Sequence, residues 1–314
     1  MLTISPISFP GLGINIDPPA SFPLGPLTIN FYGICIATGL LLAVLYGSLR
    51  AKQFGFRQDD ILDGVLWVVP FAILCARLYY CVFKWELYKA NPISILYIWE
   101  GGQAIYGGII GAAVGVTVYC LAKKISLPAL LDLVALGFLI GQCLGRWGNF
   151  FNREAYGAET ESFLRMGLFL QPDRSFSYTE RFYHPTFFYE SMWNLAGFVL
   201  LHFLSKRRKY DGQIALGYAA WYGLGRAIIE GLRTDSLYIP GSEVLRVSQL
   251  LAAVTCFAAV AVLVVMSFQK HDPEKLYVNR VAAAEAARKA EAEETEKEEK
   301  PAKKPFWQGI FKKK

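Results

Sequence analysis

Between Gly145 and Gly157 the chain reads Gly-Arg-Trp-Gly-Asn-Phe-Phe-Asn-Arg-Glu-Ala-Tyr-Gly, at the end of a long apolar segment. Polar side chains at a membrane surface cost free energy unless they are paired or used, so a cluster there reads first as a site. Arg146 carries a planar guanidinium, a group suited to phosphate. Gly145 and Gly148 allow a headgroup to approach the backbone closely. Asn149 and Asn152 either hydrogen-bond lipid oxygens or satisfy the fraying helix end. Glu154 either pairs with Arg146 or Arg153, or works as an acid or base. Gly157 supplies a turn.

A second group follows later in the chain. Arg226 and Glu230 are four apart and Arg233 three further on, so one helix face holds all three. Two readings stand for this face: an intrahelical ion pair that makes burial tolerable, or an arginine that binds lipid phosphate. His184, just before Pro185, either steadies a turn or contacts a headgroup. Tyr106 and Tyr32 can each donate a hydrogen bond, and each is equally accounted for as an interfacial or packed tyrosine. Arg77 either snorkels to the surface or joins the site.

The elements that must position these residues are membrane spans. Of 314 residues, 54% are hydrophobic and 18% charged, whereas ordinary soluble domains carry about 25% charged residues. The apolar residues fall in blocks of roughly 17 to 23, the length that crosses hydrocarbon. The expectation is an all-α integral membrane protein with seven transmembrane helices, at about 29–49, 61–83, 104–122, 129–150, 187–205, 213–230 and 246–268. Residues 1–28 form an extracytoplasmic segment, 29–268 the seven-span domain, and 269–314 a charged, partly disordered cytoplasmic tail. Arg50, Lys52, Arg57, Lys123, Lys124 and Lys206–Lys209 share one side if the N-terminus is outside. The positive-inside rule then gives N-out, C-in. The long loop 151–186 becomes extracytoplasmic. Met1–Pro10 lacks a basic n-region, so no removable signal peptide is expected.

With that orientation, four span ends bring their polar residues to one outer level: the mouth at Glu100–Gly108, Arg146, His184 through Glu190, and Arg226 through Arg233. Glycines 107, 111 and 115, and 137, 141 and 145, line one face each of spans three and four and permit close helix packing. Asp63 and Asp132 fall near the opposite ends, as structural groups or solvated span ends. The six cysteines lie in apolar segments without a CxxC pair and read as buried hydrophobes. No Walker loop, HExxH or GxSxG occurs, and no metal-ligand cluster. No cofactor, metal or nucleic-acid partner is therefore expected. The closing Phe306–Phe311 stretch with its three lysines reads as a weak membrane-surface anchor.

Gly145–Gly157 resembles the signature of the bacterial prolipoprotein diacylglyceryl transferases, Gly-Arg-x-Gly-Asn-Phe-x-Asn-x-Glu-x-x-Gly, at every fixed position. Tyr32-Gly33, Gly107-Gly108, His184-Pro185-Thr186, Tyr189-Glu190 and the Arg226–Arg233 face are similar as well, so the likeness runs over about 20–268. The resemblance implies transfer of the diacylglyceryl group of phosphatidylglycerol to the lipobox cysteine of a preprolipoprotein, at the outer leaflet of the inner membrane, releasing glycerol phosphate. It implies phosphatidylglycerol binding by Arg146, Arg226, Arg233, Asn149, Asn152, Gly157, Tyr32 and His184. Catalytic roles would go to Arg146, Arg226, Glu154, Glu230 and Tyr106. In one respect the chain departs: many members have histidine where Tyr106 stands. A phenol with a pKa of about 10 is a poor base at neutral pH. The competing reading is a lipid or solute transporter, which predicts polar residues through the whole bilayer depth.

Overall fold

A computed structural model describes residues 6–25, 27–98, 101–170, 179–234 and 246–299. Four short strands come first: β1 (Ile7–Phe9), β2 (Ile14–Ile16), β3 (Ser21–Leu24) and β4 (Leu27–Asn30). Then follow α1 (Phe31–Arg50), α2 (Gln58–Phe83), the single turn α3 (Trp85–Tyr88), α4 (Ile105–Lys123) and α5 (Leu127–Asn152). Strands β5 (Met166–Leu170) and β6 (Thr179–Tyr183) precede α6 (Thr186–Ser205), α7 (Gln213–Glu230), α8 (Val247–Ser267) and α9 (Tyr277–Glu299).

Long helices occupy all seven segments expected from the apolar blocks. Five of them, α1, α2, α4, α5 and α8, are long and apolar enough to cross a membrane. The chain is a multi-pass membrane protein. Large apolar side chains such as Leu41, Leu49 and Phe257 stay exposed on α1 and α8, as a lipid-facing surface requires. Helices α6 and α7 are less apolar because they carry Glu190, Asn194 and His202, and Arg226 and Glu230.

Helix α5 is the central post, packed against α1, α6 and α7. Its start is set by Ser126, whose hydroxyl accepts from the Ala129 N–H at 3.4 Å, with Pro128 in the first turn. Its end is set by Arg153, in the left-handed conformation at φ 53°. Leu133, Leu136 and Leu139 on its buried face join Phe54, Phe56, Leu201 and Ile214 in the main core. The two glycine faces pack as close contacts: α4 lies against Cys75 and Tyr79 of α2 through Gly107 and Gly111, and Gly141 of α5 meets Gly39 of α1.

Asp132 is fully buried, which rules out the solvated reading and leaves the structural one. Its carboxylate accepts from the backbone N–H groups of Gly212, Ile214 and Ala215 at 2.8–2.9 Å. It therefore caps α7 from α5 and fixes where α7 sits along α5. At the same end Arg50 of α1 donates to Tyr46, Gln53 and Ser205, and lies 2.8 Å from His202 Nδ1.

The all-α expectation needs one correction. The segments flanking the helices build a four-stranded antiparallel sheet in the order β2-β1-β5-β6, and a β3–β4 hairpin. Ile7 of β1 is buried with Phe150, Met166, Leu168, Tyr183 and Phe187. Strands of three to five residues show too few alternations to register as a period-two pattern. Beyond α8, Tyr277 anchors α9 by donating its N–H to Asp211 at 2.8 Å. Glu100 and the Phe306–Phe311 stretch lie outside the described residues.

Candidate active site

The C-terminal part of α5 delivers Arg146, the start of the second turn of α6 delivers Glu190, and the last two turns of α7 deliver Arg226 and Glu230. Glu190 is the meeting point, with 4% of its surface exposed. Its Oε2 lies 2.6 Å from Arg146 Nη2. Arg226 Nη1 donates to both carboxylate oxygens, at 3.1 and 3.3 Å. Arg233 Nη1 reaches Oε1 at 3.3 Å. Arg226 Nη2 stands 2.6 Å from Oε2 of Glu230, itself buried. Arg246 donates to the Glu230 carbonyl.

Buried charges persist only when paired and hydrogen-bonded. Here three guanidinium groups share one buried carboxylate and a second carboxylate stands beside them. The Arg146 and Arg226 side chains remain 21% and 18% exposed. Each keeps a face that an incoming anion can reach. The arrangement suits a phosphate ester whose negative charge grows as a bond breaks.

The remaining residues surround this core at different removes. Among the described residues Glu154 accepts from Asn149 Nδ2 at 3.0 Å and Asn152 Nδ2 at 3.3 Å, and Arg146 bonds instead to Glu190. Asn149 Oδ1 in turn takes a long bond of 3.5 Å from Arg146 Nη1. Arg153 turns away, to Asp17 at 2.8 Å and the Pro18 carbonyl, and burial lowers its pKa with Asp17 opposing the shift. Gly157 is a point of close approach. A Cβ there would stand 2.7 Å from His184 Cβ and 2.9 Å from the Leu232 carbonyl oxygen. Its N–H donates to the His184 carbonyl at 2.9 Å, and it bridges to Arg233. Gly157 thus ties the start of α6 to the turn that carries Arg233.

His184 Nδ1 lies 3.3 Å from Tyr189 Oη, and burial depresses its pKa. Its ring makes no hydrogen bond to the arginines among the described residues. The Tyr32 ring packs against Gly148 on α5. Tyr106, in the first turn of α4, is 49% exposed and joined to the cluster by no hydrogen bond among the described residues. Arg77 is committed elsewhere: it donates to the carbonyls of Ser94, Ile95, Tyr97, Gly101 and Gly102 and so fastens the segment leading to α4.

Three residues at the cluster were given no role by the sequence, although Glu190 stands there at the outer polar level and in the family likeness. Glu190 is the chief one. The signal was the charge count: three arginines at one level need more carboxylate than Glu154 and Glu230 supply. Arg246 opens α8 beyond the expected polar ends. Asn194, one turn below Glu190, is buried with its Oδ1 unpartnered. It lines a small cleft with Glu190, Trp193, Tyr222 and Arg226. Among the described residues no group of three His, Cys, Asp or Glu side chains is placed to hold a metal ion.

The sequence model of the prolipoprotein diacylglyceryl transferase family matches residues 19–265. The chain belongs to that family. Among related transferases, the phosphatidylglycerol–prolipoprotein diacylglyceryl transferase of Streptococcus suis is 45% identical over 254 residues, 80% of this chain and 92% of that protein. The Lactiplantibacillus plantarum protein of the same name is 41% identical over 251 residues, covering 78% and 88%. That of Lysinibacillus sphaericus is 42% identical over 241 residues, covering 75% and 87%. The transferase match takes in every residue of the arginine–glutamate cluster and leaves out α9.

Proposed function

We infer that this transferase moves the diacylglyceryl group of phosphatidylglycerol onto the lipobox cysteine thiol of a preprolipoprotein, and that the cluster around Glu190 is where it does so. The observation that carries the assignment to this cluster is the convergence of Arg146, Arg226 and Arg233 on one buried carboxylate, with two of the guanidiniums still partly open. The thiol sulfur attacks the glyceryl carbon. The carbon–oxygen bond to the phosphate breaks, and glycerol phosphate leaves with the bonding electrons. Arg146 and Arg226, with Arg233, hold the phosphate and take up its growing charge. Glu190 and Glu230 orient the arginines. Asn149, Asn152, Tyr32, His184 and Gly157 shape the headgroup site.

The thiol proton needs an acceptor, since a free thiol has a pKa of about 8.5. Glu190 and Glu230 are engaged by arginines. Among the described residues Glu154 receives neutral amide donors from Asn149 and Asn152, and it is exposed, which favours it for this task. Tyr106 then acts as a hydrogen-bond donor to substrate. The acceptor thiol belongs to the substrate, so the six cysteines of the chain need no catalytic part.

We assign seven spans with the N-terminus outside and C-terminus cytoplasmic, the cluster at the outer leaflet of the bacterial inner membrane, and residues 29–268 as the catalytic domain. The lysine and arginine asymmetry of the loops supports this orientation. A transporter is disfavoured because the polar residues gather at one level. The test is transfer from labelled phosphatidylglycerol to a lipobox peptide by the Arg146→Ala protein. Loss of the thioether product in folded protein is expected; undiminished transfer overturns the assignment.

A further inference from the structure

Helices α6 and α7 are joined by an unusual reciprocal contact. The indole N–H of Trp193 donates to the Trp221 carbonyl at 3.0 Å, and the indole N–H of Trp221 donates to the Trp193 carbonyl at 2.9 Å. The two rings stack, with centroids 4.5 Å apart and planes 21° from parallel. Each ring also lies over a glycine of the opposite helix: Trp193 over Gly225, and Trp221 over Gly197. In both helices the glycine follows the tryptophan by four residues, so ring and glycine share a face. The same antiparallel register continues one turn further along, where Leu201 packs on Gly217.

This pairing fixes register more sharply than apolar packing does. Between spans, close approach at small residues and interhelical hydrogen bonds replace the hydrophobic drive. A buried indole N–H needs an acceptor, and a carbonyl has a second lone pair to offer. Sliding one helix by a turn would lose both hydrogen bonds and drive both rings into side chains. Glu190 lies one turn from Trp193, and Arg226 directly follows Gly225. The register that seats the indoles is therefore the one that sets the Glu190 carboxylate against Arg226.

We propose that Trp193, Trp221, Gly197 and Gly225 form a clasp that positions Glu190 on the phosphate-holding arginines, and so governs the rate of transfer. The proposal rests on reading the Glu190 cluster as the reaction site. The four residues are positioning residues; they act through Glu190 and Arg226.

Trp193→Phe keeps an aromatic ring but removes the N–H together with the pyrrole half of the indole. Gly225→Ala puts a methyl group into the Trp193 ring. Both are compared with Leu130→Ala, a core truncation on α5 away from the clasp, and with Glu190→Gln. Transfer is measured in detergent with phosphatidylglycerol and a lipobox peptide, thermal midpoints are recorded, and near-UV circular dichroism reports the stacked indoles. A one-ångström misplacement of a catalytic group costs up to a hundredfold in rate, so Trp193→Phe and Gly225→Ala should lower kcat about ten- to a hundredfold. KM for the lipid should stay within about twofold, because the arginines and their charge remain. Leu130→Ala should lower the midpoint and leave kcat unchanged. If Gly225→Ala does not fold, Trp193→Phe decides. Wild-type kcat in folded Trp193→Phe, or a kcat loss in Leu130→Ala that follows its midpoint, overturns the clasp. Inactive Glu190→Gln beside fully active Trp193→Phe overturns the clasp alone; active Glu190→Gln overturns the reading of the site beneath it.

Discussion

Arg146 and Glu190 meet at 2.6 Å across the ends of two helices that run through the centre of the protein. The same carboxylate holds Arg226 and Arg233. Removing its charge would leave cations facing one another in a buried site. Glu190→Gln is expected to lower transfer at least about a hundredfold, and Glu190→Ala to cost about 3–5 kcal/mol of stability besides. Peptide lipidation by mass spectrometry and thermal unfolding in detergent read the two effects. Wild-type transfer by Glu190→Gln would remove the carboxylate from the mechanism.

Arg146→Lys preserves charge and loses the fork that reaches Glu190 and phosphate together. The two cations are not equivalent at such a site. Transfer should fall about ten- to a hundredfold, with the loss in kcat, since the missing contact strengthens as the phosphate leaves. A steady-state series over phosphatidylglycerol concentration separates kcat from KM.

Asp132→Ala strips the acceptor from three α7 backbone N–H groups. Stability should fall by about 1–3 kcal/mol, the cost of buried donors left unpaired. Asp132→Asn, which keeps an oxygen, should recover part of it. The readout is the unfolding midpoint of each purified variant.

His184 titrates in a window set by the direction of its shift. Burial lowers its folded pKa below the ordinary 6.5, so the unfolded chain binds a proton first. Its contribution to stability is complete above 6.5 and is lost as pH falls from that value through the lower folded pKa. Acidification from pH 7 to 5 should lower the thermal midpoint, and His184→Gln should flatten that dependence. An unchanged slope in His184→Gln would assign the pH response to other groups.

Much of this architecture was legible from sequence because membrane helices announce themselves. The seven apolar blocks coincide with seven long helices, and the glycines of spans three and four mark real helix contacts. The convergence of Arg146, Arg226, Arg233 and Glu230 followed from chain direction alone. Pair identity did not. Glu154 sits closest to Arg146 in the motif yet bonds to asparagines, while the arginine's partner lies 44 residues on. Sequence proximity carries no information about which carboxylate a buried arginine selects; that depends on helix rotation and register. The sheet escaped notice for a related reason. Its strands are brief, and β1 pairs with β5 through Ser8 and Gly167, a contact that no local pattern encodes.

The Ser8–Gly167 pairing also imposes an order on biogenesis. The first strand is made long before its partner exists. At about 5–20 residues per second of synthesis, roughly ten to thirty seconds separate the emergence of the two. Through that interval Ile7 has no Met166 or Leu168 to cover it. The cluster at Arg146 can assemble only after α6 and α7, which carry Glu190, Arg226 and Glu230, have been made. A nascent chain arrested before residue 166 would therefore hold its central helix with Arg146 still lacking the carboxylates that complete the cluster.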